Sequence, residues 1–287
     1  MSYNNFIPEV WSRTILTERD AVTVAYNNSW KQFEGEIKAQ ASKVKIAGIG
    51  GATVTDYYKF GDDRHTDLNL EVLSEQSTML EITEAKSVSF VIDDIDRLQA
   101  NANIMQPTMK KTASNMAVTM DKFIYGKIFE AGLSVEKTNV TSHNIFSALS
   151  EGIAKIMKEG SVFDLTELTL ELDPWVFQKI ILGDINFGRT NDNTIKNGYR
   201  GNVLGVKTFV TNNLPTTTDA AGTHYYGLLR TNQAIAVAEQ LNKMTAGDVG
   251  VKGFGEYVKG LHLYGAKMIK PNEACLFDFT LAEETQI

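Results

Sequence analysis

Between residues 43 and 92 the sequence alternates apolar and polar side chains, which is the period of a half-buried β-strand. The apolar residues of this pattern are Val44, Ile46, Leu68, Leu70, Val72, Leu80, Ile82, Val88, Phe90 and Ile92. The pattern predicts a long antiparallel ribbon, and a two-stranded ribbon is at best marginally stable by itself in water. Its second apolar surface must come from the rest of the chain or from another copy. We expect the ribbon to lie across a neighbouring copy.

A glycine cluster interrupts this ribbon in the stretch VKIAGIGGATVTDYY, residues 44 to 58. Gly48 and Gly50 match the first two glycines of the dinucleotide-binding pattern G-x-G-x-x-G, but Thr53 occupies the third position. The residues after Thr53 lack the apolar spacing of the helix that this pattern requires. We therefore interpret the glycines as a bend between two strands. A nucleotide-cofactor oxidoreductase that uses residues 48 to 53 is the alternative from a different functional class.

Composition and charge argue against several classes of function. The chain has 287 residues, with 28 Lys and Arg against 35 Asp and Glu, and a net charge of -7. It has no basic run, which argues against DNA binding by phosphate neutralisation but is compatible with a protein that encloses nucleic acid. A single cysteine, Cys275, excludes an intrachain disulfide, and the four histidines lack the spacing of a zinc site. We find neither a secretory signal nor a membrane-spanning stretch, and we expect no membrane association.

The sequence also lacks the motifs of common catalytic sites. It contains neither the G-x-S-x-G nucleophile motif nor the phosphate-binding G-x-x-x-x-G-K-[ST] motif. Asp93, Asp94 and Asp96 follow a predicted strand, and we interpret them as acids at the start of a helix rather than as metal ligands. The sequence therefore predicts a protein that is not an enzyme, with no catalytic residue, cofactor or metal.

Two helices are predicted outside the ribbon. Residues 9 to 26 have one apolar helical face. A longer helix lies within residues 90 to 132, where Pro107 can kink it or start a second helix. Its apolar residues recur at spacings of three and four: Met109, Ala113, Met116, Met120, Phe123 and Ile124. We interpret this methionine-rich stripe as core packing rather than as a ligand site.

After Gly132 the pattern indicates a compact α/β region. Helices are predicted over residues 145 to 156 and 231 to 241, and another begins at Pro174 behind the capping residue Asp173. Strands are predicted over residues 168 to 172, 201 to 215, 224 to 230, 257 to 269 and 273 to 281.

Four stretches, in this order along the chain, resemble the major capsid proteins of tailed bacteriophages, which have the Hong Kong ninety-seven fold. They are FIPEVWS (6 to 12), EGEIKAQASKVKIAGIGGATVTDY (34 to 57), FVIDDID (90 to 96) and GNVLGVKTFVTNNLP (201 to 215). Each stretch is short, and it is their order and spacing along nearly the whole chain that carry the resemblance.

The resemblance implies an α+β phage capsid fold with four parts. These are an N-terminal arm (1 to 35), an extended β-ribbon loop (36 to 89), a peripheral domain with a long spine helix (90 to 135 and 256 to 287) and a compact α/β axial domain (136 to 255). It implies a structural protein that self-assembles as pentamers and hexamers into the icosahedral shell of a virion. That shell encloses a double-stranded DNA genome without sequence-specific binding.

The resemblance also implies partners and a place of assembly. Because the opening motif begins at residue 6, we expect a separate scaffolding protein or unaided assembly, together with a portal, in the host bacterial cytoplasm. An encapsulin-like nanocompartment shell protein of the same fold is the alternative that the resemblance leaves open.

The arm and the ribbon are where we expect subunits to meet. The interface candidates are Phe6, Ile7, Trp11, Val44, Ile46, Gly48, Gly50, Tyr57, Leu68, Leu70, Leu80 and Ile82. Some members of the family join a loop lysine to an asparagine of a neighbour, and Lys43, Lys45, Lys59 and Lys86 are candidates for this by residue type alone.

Overall fold

The chain combines three α-helices with twelve strands over the residues that the structure describes. This computed structural model describes residues 23–32, 43–49, 75–93, 105–160, 162–183, 199–220, 222–248, 253 and 255–283. The helices are α1 (Met105–Tyr125), α2 (Ile145–Lys155) and α3 (Pro174–Leu182). The strands are β1 (Lys43–Ile49), β2 (Glu75–Glu81), β3 (Glu84–Asp93), β4 (Leu133–Val140), β5 (Leu168–Leu172), β6 (Tyr199–Val203), β7 (Val206–Val210), β8 (Thr216–Asp219), β9 (Gly222–Thr231), β10 (Ile235–Asp248), β11 (Gly255–Met268) and β12 (Ala274–Leu281). The α+β class expected from the sequence is confirmed.

A seven-stranded mixed sheet forms the larger part of the core. Its strands lie in the order β4-β12-β9-β5-β7-β6, and β8 pairs with β9 beside this path. β12 is parallel to β4 and β5 is parallel to β7, while the other neighbours are antiparallel. α2 and α3 bury their apolar faces in the same cluster as the sheet, where Leu149, Val176 and Ile180 lie with Leu170 and Phe277. This mixture of short parallel and antiparallel pairs is the compact α/β region that the sequence predicts.

A three-stranded antiparallel sheet, β10-β11-β3, packs against the long helix α1. Met109 and Ala113 of α1 cluster with Phe90 of β3, and Met120 lies with Tyr264 of β11. Met120 has no exposed surface and Met109 is 6% exposed, so the interpretation of the methionine stripe as core packing is confirmed. Pro107 lies in the first turn of α1, where its missing N–H costs no intrahelical hydrogen bond.

β1 and β2 form a two-stranded antiparallel sheet, called the ribbon below. Its register runs from Lys43 opposite Glu81 to Ile49 opposite Glu75. The predicted continuation of the ribbon through residues 84 to 92 is wrong, because β3 pairs with β11 from Glu84 to Asp93 instead. The two residues between β2 and β3 are enough for the chain to pass from one sheet to the other.

The base of the ribbon rests on its own chain. Ile46 and Leu80 are 8% and 0% exposed and cluster with Ala236 and Ala238 of β10. The expectation that another copy must supply the apolar surface of the ribbon is therefore wrong for its base. The rest of the chain, which was the other possibility, supplies that surface.

The predicted helix over residues 231 to 241 is also wrong, because Ile235–Asp248 form the strand β10. Ile235 and Val237 are buried in the cluster beneath α1, whereas Ala236 and Ala238 are buried on the ribbon side. A strand that is buried on both faces has no polar alternation, and its alanines favour helix when the sequence is considered locally. Tertiary packing overrides that local preference here.

Other local predictions agree with the structure. Leu168–Leu172 form β5, and the carboxylate of Asp173 caps α3 by accepting the N–H of Trp175 at 2.8 Å. Pro271 separates the last two strands. The predicted helix over residues 9 to 26 does not extend to its predicted end, since residues 24 to 28 form a bend and turns, while its first residues lie outside the described ranges.

The described residues contain no group of three or more His, Cys, Asp or Glu side chains that could hold a metal ion. None of their helices is both long enough and apolar enough to span a bilayer.

Candidate functional site

A fully buried ion pair lies at the centre of the chain, where β5 and β9 are neighbours. Arg230 donates from Nη2 to Oε1 of Glu171 at 3.0 Å and from Nε to Oε2 at 3.2 Å. Both side chains have no exposed surface. Glu171 lies between two leucines in β5 (LTLEL), and Arg230 follows two leucines near the end of β9 (GTHYYGLLRT). Buried charges of this kind persist only when they are paired and hydrogen-bonded.

The guanidinium of Arg230 also holds a segment that comes from the other end of the sequence. Residues 23 to 32 are called the anchor segment below. Arg230 donates to the carbonyl oxygens of Asn28 at 2.7 Å and Ala25 at 3.2 Å, and to Oγ of Ser29 at 3.2 Å. Asn28 in turn donates its side-chain amide to Oε1 of Glu171 at 3.0 Å. The ion pair thus fixes the backbone of the anchor segment more than 200 residues away in sequence.

Asp121 of α1 binds the same segment from the side of the helix. Its carboxylate accepts the backbone N–H of Val24 at 2.9 Å and that of Tyr26 at 3.3 Å. Burial raises the pKa of Asp121 to about 6, while the two N–H donors lower it and the charge of Glu171 raises it further. The carboxyl group is therefore close to half-ionised in mildly acidic solution. Arg230, Glu171 and Asp121 are called the anchor cluster below.

Trp30 attaches the end of the anchor segment to the three-stranded sheet. Its N–H donates to the carbonyl of Ile235 at 2.9 Å, and its carbonyl accepts the N–H of Val237 at 3.0 Å. The pairing is a parallel bridge to Ala236 of β10. The anchor segment therefore joins α1, the seven-stranded sheet and the three-stranded sheet.

The ribbon approaches β11 so closely that only glycine fits at Gly265. A Cβ added there would overlap the carbonyl oxygen of Glu81, with the carbonyl carbon of Glu81 at 2.8 Å and Cα of Ile82 at 3.0 Å. Moving these backbone atoms aside would cost free energy, because they lie at the paired end of β2 and are not part of a flexible side chain. Gly265 therefore sets the position at which the ribbon departs from the body of the chain.

Large apolar side chains are exposed on α3. Trp175, Ile181 and Leu182, called the α3 patch below, are 58%, 57% and 53% exposed. Trp175 and Leu182 are seven residues apart and therefore lie on the same side of α3, while Ile181 lies about 100° from Leu182 around the helix axis. Val176 and Ile180 are buried. Phe163 is 76% exposed. Clustered exposed apolar groups are typical of surfaces that pack against another molecule.

The structure places only some of the predicted interface residues. Ile46 and Leu80 are buried in the subunit and Ile82 is half-buried beside them. Val44 and Gly48 lie in β1 opposite Leu80 and Gln76. The candidates outside the described residues are Phe6, Ile7, Trp11, Gly50, Tyr57, Leu68 and Leu70. Contacts of these twelve residues with another subunit remain predictions.

The sequence analysis missed the anchor cluster and the α3 patch. A signal for the first was present, because a single Glu or Arg inside an apolar strand is rarely buried unless it has a partner. The geometry of the cluster suits it to holding a segment rather than to catalysis. The guanidinium and the Glu171 carboxylate use their hydrogen-bonding groups on each other and on the anchor segment, and Arg230 offers no exposed surface to a substrate.

The glycine cluster does not follow a strand of the kind that a dinucleotide site requires. β1 pairs with β2 in an isolated antiparallel ribbon, not with parallel strands in a βαβ unit. Gly50 and the residues up to 74 lie outside the described ranges. The arrangement of β1 gives the oxidoreductase alternative no support.

Comparison with solved structures defines the fold. A structure from Mycobacterium phage Che8 is 23% identical, covers 89% of this chain and 90% of its own, and has a TM-score of 0.70. The bacteriophage PhiM1 mature capsid is 15% identical, with 91% and 88% covered and a TM-score of 0.67. A virus-like particle from Pyrococcus furiosus is 10% identical, with 96% and 100% covered and a TM-score of 0.58. No protein-family model and no curated protein matches the sequence.

These structures show that the chain has the fold of phage capsid proteins over about nine-tenths of its length. The resemblance inferred from four short stretches of sequence is confirmed at the level of the fold.

Proposed function

We propose that this chain is the major coat subunit of a tailed bacteriophage and acts as a structural protein rather than as an enzyme. It assembles as pentamers and hexamers into an icosahedral shell that encloses double-stranded DNA. The observation that carries the proposal is the fold shared with phage capsid structures along nearly the whole of both chains. Such a shell needs several distinct contact surfaces on one subunit.

The anchor segment and the base of the ribbon are both fixed to the buried core of the subunit. The anchor cluster holds residues 23 to 32, while Ala236 packs against Ile46 and Leu80 of the ribbon and Gly265 lies against Glu81 at the end of β2. We propose that the residues before Thr23, and the ribbon beyond Ile49 and Glu75, contact neighbouring subunits. Buried fixed points of this kind would direct the two extensions while their outer parts accommodate the different angles of pentamers and hexamers.

The α3 patch supplies a third contact in this proposal. Its exposed side chains would be covered by another copy, because large apolar groups are enriched in the centres of interfaces. The favourable free energy of each contact is partly offset by the loss of translational and rotational freedom on association. Individually weak contacts then allow a misplaced subunit to leave, while the closed lattice holds collectively.

The charge of the chain is compatible with this role. A net charge of -7 gives no general attraction for phosphate, so the wall would enclose DNA without binding it tightly or by sequence. We propose a separate scaffolding protein and a portal as partners, assembly in the host bacterial cytoplasm, and the virion as the final location.

A nanocompartment shell is the second candidate, and one observation favours considering it. The virus-like particle from Pyrococcus furiosus covers 96% of this chain and all of its own. Such a shell would enclose enzymes in place of a genome. The cargo of purified particles distinguishes the two functions, since a phage shell copurifies with phage DNA or with a scaffolding protein and a nanocompartment with enzyme cargo.

The experiment that tests shell formation is sedimentation and negative-stain imaging of the purified full-length chain, alone and with the scaffolding protein of the same phage. We expect closed particles hundreds of ångströms wide, or capsomers that close when scaffolding protein is added. A monomer or small oligomer with the absorbance of a bound cofactor in both samples would overturn the proposal.

A further inference from the structure

His224 of β9 lies between two carboxylates that come from two other strands. Its Nδ1 is 2.6 Å from Oδ1 of Asp278 on β12, and its Nε2 is 3.2 Å from Oδ2 of Asp219 on β8. Asp219 is the last residue of β8 and pairs with Gly222 at the end of the β8–β9 hairpin. The imidazole therefore links the closed end of this hairpin to the neighbouring strand of the large sheet.

The two contacts differ in geometry. The Nδ1 contact with Asp278 is a short hydrogen bond between half-buried groups. Nε2 has no hydrogen-bond partner of acceptable geometry within the described part of the chain, so its contact with Asp219 is an ion pair by distance only. This second contact therefore depends on the charge of the ring rather than on a hydrogen bond.

Among the described residues, the charges that act on His224 are the two carboxylates of Asp278 and Asp219. Tyr226 of the same strand stacks at 6.5 Å between ring centroids and bonds Thr217 of β8 through its hydroxyl. Thr280 of β12 is opposite His224 in the register, and Glu136 of β4 is opposite Asp278. The titratable groups that face this site from β8, β9, β12 and β4 are thus Asp219, Tyr226, Asp278 and Glu136.

The protonation state of His224 decides whether the second contact is attractive. The short bond to Asp278 keeps a proton on Nδ1 in both states. When the ring is neutral, Nε2 therefore carries a lone pair and faces the carboxylate of Asp219 without attraction. When the ring is charged, Nε2 carries a proton and both carboxylates are attracted to it.

We propose that His224 is a pH-sensitive clasp, which ties the closed end of the β8–β9 hairpin to β12 only while the imidazole is protonated. β8 is exposed at every residue, so the hairpin is a surface element whose freedom can change without disturbing the core. The inference concerns this hairpin alone and does not depend on the proposed function.

The direction of the pKa shift agrees with the clasp. The hydrogen bond that His224 donates to Asp278 raises the pKa of His224 above its ordinary value, burial opposes this, and the charges of Asp278 and Asp219 raise it further. A raised pKa in the folded chain means that the clasp is complete at low pH and is lost as the pH rises through that value.

The first test measures the titration of His224 by deuterium exchange at the imidazole C2 position, with mass spectrometry of the full-length chain. His143 is the internal reference, because its ring bonds only the neighbouring Ser142 hydroxyl among the described residues. We expect the pKa of His224 to fall in Asp219→Asn and to fall further in Asp278→Asn. Glu136→Gln is the matched control and should leave it nearly unchanged. An Asp219→Asn chain in which His224 titrates as in the wild type would overturn the proposal.

The second test follows amide exchange in residues 216 to 226. After correction for intrinsic chemistry, we expect about two- to fivefold faster exchange above the pKa of His224 than below it, the range that an exposed ion pair gives. Asp219→Asn should abolish this pH dependence while its pairing of β12 with β9 stays protected. The same pH dependence in Asp219→Asn and in the wild type would show that another group controls the hairpin.

Discussion

Two hydrogen bonds join Arg230 to Glu171 across neighbouring strands, and neither side chain has any exposed surface. Oε1 of Glu171 is shared, since it accepts from the guanidinium and from the amide of Asn28, both at 3.0 Å. The pair is therefore more than a contact between two strands. The same two side chains also bind the anchor segment to the large sheet.

Glu171→Gln should destabilise the chain strongly. The substitution keeps the size of the side chain but leaves the guanidinium of Arg230 buried without a counter-charge. Breaking a buried pair in this way costs about 3–5 kcal/mol. Urea denaturation of the purified chain measures the free energy of unfolding, and amide exchange should show the anchor segment opening before the sheet.

The control for this variant is Glu151→Gln on α2. Glu151 pairs with Lys137 at 2.9 Å and Lys155 at 3.1 Å, but all three side chains are more than a third exposed. Removing the charge of Glu151 should reduce the free energy of unfolding far less than Glu171→Gln does, because exposed ion pairs contribute little to stability. Equal losses in the two variants would show that the burial of the Arg230 pair has no energetic consequence.

Asp121→Asn should flatten the dependence of stability on pH between about 5 and 7. The pKa of Asp121 is about 6 in the folded chain, above the ordinary value of 3.8, so the folded chain takes up this proton first as the pH falls. Protonation therefore stabilises the fold, and the wild type should gain about 1 kcal/mol from pH 7 to pH 5 relative to the variant. Denaturation curves at several pH values measure this difference.

The amide that Asp121→Asn introduces would resemble the protonated carboxyl group in charge and shape, so the two chains should be closest in stability at the acidic end. A wild type that loses stability relative to Asp121→Asn on acidification would contradict the assigned direction. It would mean that the N–H groups of Val24 and Tyr26 outweigh burial at this carboxylate.

Gly265→Ala should displace the ribbon from β11. The new methyl group meets the backbone of Glu81 and Ile82, which has no flexible end that could give way. Overpacking of this kind costs about 1–3 kcal/mol, and faster amide exchange should appear in β1 and β2. Gly247→Ala on β10 is the matched control, because the atoms nearest to its methyl group belong to the side chain of Tyr257, at 3.0 to 3.1 Å, and not to the backbone. If both variants left β1 and β2 equally protected, the close approach at Gly265 would not position the ribbon.

Ile181→Glu should impair assembly without unfolding the subunit. Its side chain is 57% exposed, so a charge there costs little in the isolated chain but is unfavourable in an apolar contact. We expect the concentration needed for particle formation to rise at least about tenfold, which corresponds to about 1.4 kcal/mol. Sedimentation measures assembly and thermal denaturation measures folding.

Ser150→Glu on α2 introduces the same charge at another exposed helical position and should assemble as the wild type does. Normal assembly of Ile181→Glu would remove the α3 patch from the proposed contacts while leaving the other two in place.

The elements that the sequence predicts correctly are those whose signal is local. The stripe from Met109 to Ile124 has the helical period because one face of α1 is buried and the other is exposed. Asp173 and Pro174 mark the start of α3 because capping depends on adjacent residues. Pro271 likewise separates two strands in sequence as well as in space.

The elements that the sequence does not predict depend on distant partners. β10 shows no strand period because Ile235 and Ala236 are buried on opposite faces by different parts of the chain. β3 continues the alternation of the ribbon, and nothing within it indicates that it pairs with β11. The anchor cluster joins residues separated by 59 to 205 positions, so sequence can indicate that Glu171 and Arg230 need partners but not which ones they have.

Ala236 and Ala238 of β10 lie where the anchor segment and the ribbon both contact the three-stranded sheet. The backbone of Trp30 forms a bridge with Ala236 of β10. Ile46 and Leu80 of the ribbon pack against Ala236 and Ala238. The anchor segment and the ribbon therefore contact the same short stretch of β10, in addition to the hydrogen bonds that hold the anchor segment to the large sheet. A bulkier side chain at Ala236 should therefore displace both the anchor segment and the base of the ribbon.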